Sequence, residues 1–137
     1  MKDKNNRLNL SLILPTYNES ENIKKLTGKL SKSLSSLDYE VIIVDDDSPD
    51  LTWQIAQEIG NTNHRIKTIR RLDKKGLSSA VMAGMLQSKG DVIAVMDADM
   101  QHDESILPEL CQQISTGKYD ICIGSRGVAE GSYGEMS

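Results

Sequence analysis

Residues 40–50 read EVIIVDDDSPD, and this stretch decides the fold. Glu40 to Val44 is a β-branched run, too short for a helix and apolar throughout, as expected of a parallel strand covered on both faces. It breaks abruptly into Asp45, Asp46 and Asp47. The same pattern of a short apolar run followed by polar residues recurs on either side. Leu8 to Leu14 is closed by Pro15, Asp91 to Met96 (DVIAVM) runs into Asp97, and Tyr119 to Ile123 (YDICI) precedes GSR. Arg65 to Arg70 alternates as a weaker, partly exposed strand.

Helical periodicity fills the gaps between these runs. Ile23, Leu26, Leu30, Leu34 and Leu37 recur at three- and four-residue steps, with Asn18 or Ser20 as the capping candidates. Ser48 and Pro49 read as the cap and first turn of a second helix, with Leu51, Ile55, Ala56 and Ile59 as its buried stripe and Gly60 as its stop. Gly76 to Ser88 and Ser105 to Ser115 read as the third and fourth helices. Strands alternating with helices predict a doubly wound α/β layer sandwich, with a mostly parallel sheet and right-handed crossovers.

The 137 residues allow about one domain. Sixteen Lys and Arg against 20 Asp and Glu give a net charge of -4, which removes the basic footprint of a nucleic-acid binder. Aromatic residues are only 4% of the chain and Phe is absent, so base-stacking platforms are not expected either. Cys111 and Cys122 lack the spacing of a zinc site or disulfide framework and read as reduced core thiols. No apolar run approaches the ~18 residues of a membrane span and the N-terminus lacks a signal peptide's apolar core, so the expected location is cytoplasmic.

In such a sheet, ligands bind beyond the carboxyl ends of the strands. Asp45, Asp46, Asp47, Asp50, Asp97, Asp99, Asp103 and Glu104 place eight of the 20 acids there. Carboxylates held so close raise one another's pKa or require a cation. Asp97-Ala98-Asp99 admits two readings: a Mg²⁺ or Mn²⁺ site bridging to a diphosphate, with His102 as a further ligand, or an Asx-type turn closing the strand. Neither a G-x-G-x-x-G nor a P-loop sequence is present, so a nucleotide diphosphate requires neutralisation by metal instead of a glycine nest. Tyr17 and Glu19, after the first strand, offer a ring to pack on a base and a carboxylate to accept from it, or simply form a strand-to-helix turn. Arg70, Arg71, Lys74 and Lys75 read as a solvated face, and Met82, Met85 and Met96 as core filler.

LPTYNE, IVDDDSPD, KKGLSSA, MDADMQH and GSR, taken in order and spacing, resemble the dolichol-phosphate mannose synthase family of family 2 inverting glycosyltransferases. The resemblance runs from Leu10 to Arg126 and implies a Rossmann-like GT-A nucleotide-sugar-binding fold. It further implies that Pro15, Tyr17 and Glu19 hold the guanosine of GDP-mannose, with Ile43, Asp45 and Asp46 beside it. By the same resemblance Asp97, Ala98 and Asp99 match the metal and diphosphate motif, and Gln101 joins the metal and sugar-phosphate contacts. Arg126 meets the diphosphate or sugar, so Asp97, Asp99 and Arg126 are the expected catalytic set and Asp97, Asp99 and Gln101 the metal set.

The implied acceptor is a polyprenyl monophosphate at the cytosolic face of a membrane. A related glucosyltransferase using UDP-glucose shares nearly the same first half. A signalling receiver domain also clusters aspartates, but its phosphorylated-Asp arrangement is not matched. Two departures fall at glycine positions of the family pattern, Asp47 within D-D-G-S-P-D and Leu51 after SPD. Residues 1–7 read as a polar lead, 8–126 as a truncated catalytic domain and 127–137 as a flexible end. The family's acceptor loop, a later basic contact and its membrane-surface helices have no counterpart here. The expectation is therefore a donor-binding half, either catalytically incomplete or completed by a C-terminal half or a membrane-anchored partner.

Overall fold

A computed structural model describes residues 8–73, 76–98 and 121–124. Its elements are β1 (Leu8–Thr16), α1 (Ser20–Ser33), β2 (Tyr39–Asp45), α2 (Thr52–Thr62), β3 (Ile66–Arg70), α3 (Leu77–Gln87), β4 (Gly90–Met96) and β5 (Ile121–Gly124). The strands form one sheet in the order β3-β2-β1-β4-β5, and every pair is parallel. Winding proceeds outward from β1 to β3 and then restarts on the other side of β1 with β4. The switch point, where such sheets open a crevice at their carboxyl edge, therefore lies between β1 and β4. The helix expected over 105–115 lies outside the described residues.

Period-2 alternation sorts the apolar runs onto two covered faces. Leu10, Leu12 and Leu14 join Val41, Ile43, Val92 and Ala94 beneath Ile23, Leu26 and Leu30 of α1 and Ala56 of α2. Ile13, Ile42, Val44 and Val95 face the opposite way, against Ala80 of α3. Ile23, Leu26 and Leu30 are at most 1% exposed, and burial at this level contributes about 1.5–3 kcal/mol per side chain. On the other face, a Cβ at Gly84 would lie 2.7 Å from Ile13 Cγ2, so only glycine lets α3 settle this close to the sheet.

Polar groups anchor the amino end of the sheet. Buried Glu40 accepts hydrogen bonds from Ser11 Oγ at 2.6 Å, Lys67 Nζ at 2.7 Å and the Lys89 N–H at 2.8 Å. Burial pushes its pKa up, but these hydrogen bonds and the Lys67 charge outweigh that effect and hold it below the usual 4.5.

Several expected boundaries move. Strand β1 continues through Pro15 to Thr16, because Pro15 pairs with Val44 whereas the pairing with β4 ends at Ile13. Helix α2 begins at Thr52 instead of near Ser48, and Gly60 lies inside it, where a Cβ would stand 2.8 Å from the Ile66 carbonyl oxygen. Leu51 is not part of the buried stripe: it precedes the helix at φ 65° and is 46% exposed. Met82 is exposed on α3, whereas Met96 is core as expected.

Candidate functional site

The carboxyl ends of β1, β2 and β4 bring the Thr16–Glu19 turn, the Asp45–Leu51 loop and Asp97–Ala98 to one edge. Asp45, the last residue of β2, is fully buried. Its Oδ1 accepts from Thr16 Oγ1 at 2.6 Å and Ser48 Oγ at 2.7 Å, and its Oδ2 accepts the Ser48 N–H at 2.9 Å. Asp45, expected beside a base, holds its own loop through these bonds. Ile43, also expected beside the base, is fully buried in the core.

The loop carrying Ser48, Asp50 and Thr52 is fastened to the turn after β1. Three successive backbone N–H groups donate to it: Asn18 to Ser48 Oγ at 2.9 Å, Glu19 to Thr52 Oγ1 at 3.0 Å, and Ser20 to Asp50 Oδ2 at 3.0 Å. Asp50 Oδ1 also accepts the Thr52 N–H at 3.1 Å and the Thr52 hydroxyl at 2.5 Å. Its carboxylate thus serves the first turns of both α1 and α2. Partial burial pushes the Asp50 pKa up, but the hydrogen bonds from Thr52 and Ser20 prevail and hold it below the usual 3.8. Neither Asn18 nor Ser20 supplies a side-chain cap to α1, and Ser48 supplies none to α2.

A second fastening joins β2 to the segment after β3. Asp46 accepts from Arg71 Nε at 2.7 Å and from the Gly76 N–H at 2.9 Å, while Arg71 also donates to Ser79 Oγ and the Gly76 carbonyl. The Arg71 side chain is only 9% exposed, so it belongs to no solvated face. Arg70 is exposed as expected, where it pairs with Asp47 at 2.8 Å and stacks 3.7 Å above the Trp53 ring centroid. The Asp47 backbone sits at φ 52°, the left-handed region, as does Leu51. Both positions at which this chain departs from the family's glycines are therefore ones where glycine is free of strain.

Exposed at this edge are the Tyr17 ring, 52% accessible, and in part Glu19 and Asp97. Glu19 Oε1 accepts from Asn22 Nδ2 at 2.9 Å. Pro15 is partly exposed, and Ala98 is buried. Asp97 makes no hydrogen bond or ion pair with the described residues, which leaves a hard oxygen donor at the switch point free to meet a cation. Among the described residues no group of three His, Cys, Asp or Glu is placed to hold a metal. Asp99, Gln101, His102, Asp103, Glu104 and Arg126 lie outside the described residues, as do Lys74 and Lys75. Thr52, Arg71 and Ser79 had no local signal in the sequence, because their partners lie in other loops.

The electrostatic consequence concerns α1. In nucleotide-binding sheets of this winding, the N-terminus of the first helix ordinarily meets the phosphates. Here the Ser20 N–H that opens α1 is already taken by the negative charge of Asp50, and the Asn22 N–H turns back to the Glu19 carbonyl. Asp46 and Asp47 are neutralised by Arg71 and Arg70, whereas Asp97 is not engaged by the described residues. With Asp50 placed at the start of α1, a diphosphate at this edge is favoured by a cation between it and the carboxylates.

Fold and edge together define a Rossmann-like, GT-A type α/β layer. The chain belongs to glycosyl transferase family 2, whose sequence model matches residues 11–137. It is 48% identical over 124 residues to a dolichol-phosphate mannosyltransferase of Pyrococcus furiosus, covering 90% of this chain and 35% of that protein. It is 36% identical over 107 residues to the dolichol-phosphate mannosyltransferase of Saccharomyces cerevisiae, covering 76% and 40% respectively. In fold it is similar to a Pyrobaculum calidifontis mannosyltransferase solved with GDP-Man and Mn²⁺, with a TM-score of 0.59 and 23% identity, covering 68% of this chain and 28% of that one. The chain thus spans about a third to two-fifths of the length of these curated relatives. No helix among the described residues is long and apolar enough to cross a membrane.

Proposed function

We propose that this chain carries the donor site of an inverting, metal-dependent hexosyltransferase that moves mannose from GDP-mannose to a polyprenyl monophosphate at the cytosolic face of a membrane. The observation that carries the reading is the Asp50 carboxylate held at the start of α1 beside an Asp97 carboxylate that no described residue engages. This edge suits a nucleotide diphosphate that arrives with Mg²⁺ or Mn²⁺, and the names of the relatives supply the sugar and the acceptor class.

Tyr17 and Glu19 take the nucleoside, the exposed ring offering a packing surface and the carboxylate an acceptor. Asp45 and Asp46 hold the flanking loops. Asp97, with Asp99 and Gln101, takes the cation, and Arg126 meets the diphosphate or sugar. The metal's chemistry, when bound, is to stabilise charge developing on the leaving nucleoside diphosphate. A phosphate monoester acceptor, with a second pKa near ~6, is already ionised at neutral pH, so no general base is assigned.

Calorimetric titration with GDP-mannose and with UDP-glucose, each with and without Mn²⁺, tests the reading. Metal-dependent binding of GDP-mannose is expected, and binding of neither nucleotide sugar refutes the donor site. Preference for UDP-glucose transfers the proposal to a polyprenyl-phosphate glucosyltransferase. Binding without transfer of labelled mannose to a polyprenyl phosphate assigns this chain donor binding alone.

A further inference from the structure

We infer that Ser48, Asp50 and Thr52 are positioning residues that set the geometry of the Tyr17–Glu19 turn and thereby the affinity for the nucleotide donor. The inference rests on the donor site proposed above. An ordinary helix start is capped by a residue of its own turn. Here three successive N–H donors, of Asn18, Glu19 and Ser20, are drawn to side chains 30, 33 and 30 residues further along the chain.

Both hydroxyls in the lock have a fixed sense. Ser48 Oγ donates to Asp45 and accepts from Asn18, and Thr52 Oγ1 donates to Asp50 and accepts from Glu19. Each hydroxyl proton is pinned to a carboxylate, so each oxygen's lone pairs point at the turn. The turn itself requires holding: Asn18 stands at φ 57°, a conformation that costs energy for any residue but glycine. Ser48 and Thr52 are 2% and 0% exposed, so neither touches a ligand. Any effect they have on binding passes through Tyr17 and Glu19.

Amide hydrogen exchange and calorimetry on the full chain, with GDP-mannose and Mn²⁺, test this on wild type, Thr52→Val, Thr52→Ser and Ser48→Ala. In Thr52→Val the Glu19 amide is expected to exchange at least about tenfold faster while the Ile13 and Ile43 amides stay as protected as in wild type. The donor Kd should rise about tenfold, the equivalent of ~1.4 kcal/mol. Thr52→Ser restores the hydroxyl and should return both to within about twofold of wild type, even where its lost methyl lowers the melting temperature. If Thr52→Val does not fold, Ser48→Ala gives the same reading at the Asn18 amide.

Unchanged Kd alongside a faster Glu19 amide overturns the positioning role, and so does a Thr52→Ser chain as impaired as Thr52→Val. A wild-type chain that binds no GDP-mannose refutes the donor reading and the affinity claim with it. The exchange pattern then decides by itself whether the lock sets the turn.

Discussion

Asp50→Asn is the sharpest test of how this edge is built. The two carboxylate oxygens accept hydrogen bonds from the Ser20 N–H, the Thr52 N–H and the Thr52 hydroxyl, with the Ser20 side chain adding to them. Asparagine keeps one acceptor oxygen and turns an NH2 toward the remaining donor. If its oxygen stays with Thr52, the Ser20 N–H is left facing another donor, an orphaned group that costs about 1–3 kcal/mol. Loss of the negative charge beside two helix N-termini adds about 0.3–1 kcal/mol. The sum, roughly 1–4 kcal/mol, corresponds to a fall in melting temperature of roughly 4–12 °C for a domain of this size. The pH dependence has a definite sign. The folded pKa of Asp50 is depressed, so its contribution is complete above the usual 3.8 and is lost as pH falls through the folded value. The gap between wild type and Asp50→Asn should therefore be full at pH 7 and narrow on acidification below about 4. Paired melts from pH 7 to pH 3 measure it, and Glu40, common to both proteins, cancels. A gap below about 0.5 kcal/mol at pH 7, or one that does not change with pH, refutes the reasoning.

Three further substitutions probe separate parts of the structure. Asp97→Asn should leave the metal-free stability within about 0.5 kcal/mol of wild type, because the Asp97 side chain is not engaged by the described residues. It should remove the metal-dependent part of donor binding in calorimetry, and undiminished binding would exclude a ligand role. Lys67→Met leaves Glu40, 1% exposed, without its cation. Because Lys67 is 47% exposed and Ser11 and Lys89 still donate, the cost falls below that of breaking a fully buried pair, at about 1–3 kcal/mol. That loss should be largest at neutral pH and shrink as pH falls below 4.5, where the stability from the depressed Glu40 pKa is lost in wild type too. Leu51→Gly relieves a left-handed backbone worth about 1–2 kcal/mol, against roughly 0.4–1 kcal/mol of added unfolded-state entropy. Thermal melts should show a rise of a few degrees, and a fall would mean that the half-exposed leucine packs more tightly than its surface implies.

The strands were legible because a buried parallel strand has nothing to alternate with: LSLIL, EVIIV and DVIAVM are apolar on both faces, and no helix is that short. The start of α2 was not legible in the same way. Ser48-Pro49-Asp50 has the composition of a local helix start, but Ser48 spends its hydroxyl on Asp45 and Asn18, and Asp50 reaches Ser20. A side chain that can bond either locally or across loops carries no mark in the sequence of which it does. The same holds for Arg70 and Arg71, whose acids lie 23 and 25 residues away and whose run of positive charge reads as surface. At the site, the acidic edge could be read from the order of strands and aspartates. Which acids are free could not: Asp45 and Asp46 are occupied, whereas Asp97 is not engaged by the described residues.

That division bears on why the edge is acidic at all. A sheet of this winding offers an anion the N-terminus of its first helix, and a glycine-rich turn ordinarily keeps that terminus clear. This chain has no such turn, and its place is taken by a loop whose carboxylate, Asp50, occupies the helix start from within. With a negative charge at the helix start, a diphosphate is poorly held there, and Asp97, which no described residue neutralises, would repel it. Both facts are reconciled if charge is supplied from outside as a divalent cation, for which the Asp97 carboxylate at the switch point is the natural ligand. The absent glycine motif, the clustered aspartates and the lock between the two loops are then one arrangement, in which rigidity of the nucleoside turn is gained at the helix terminus and phosphate binding is moved to the metal.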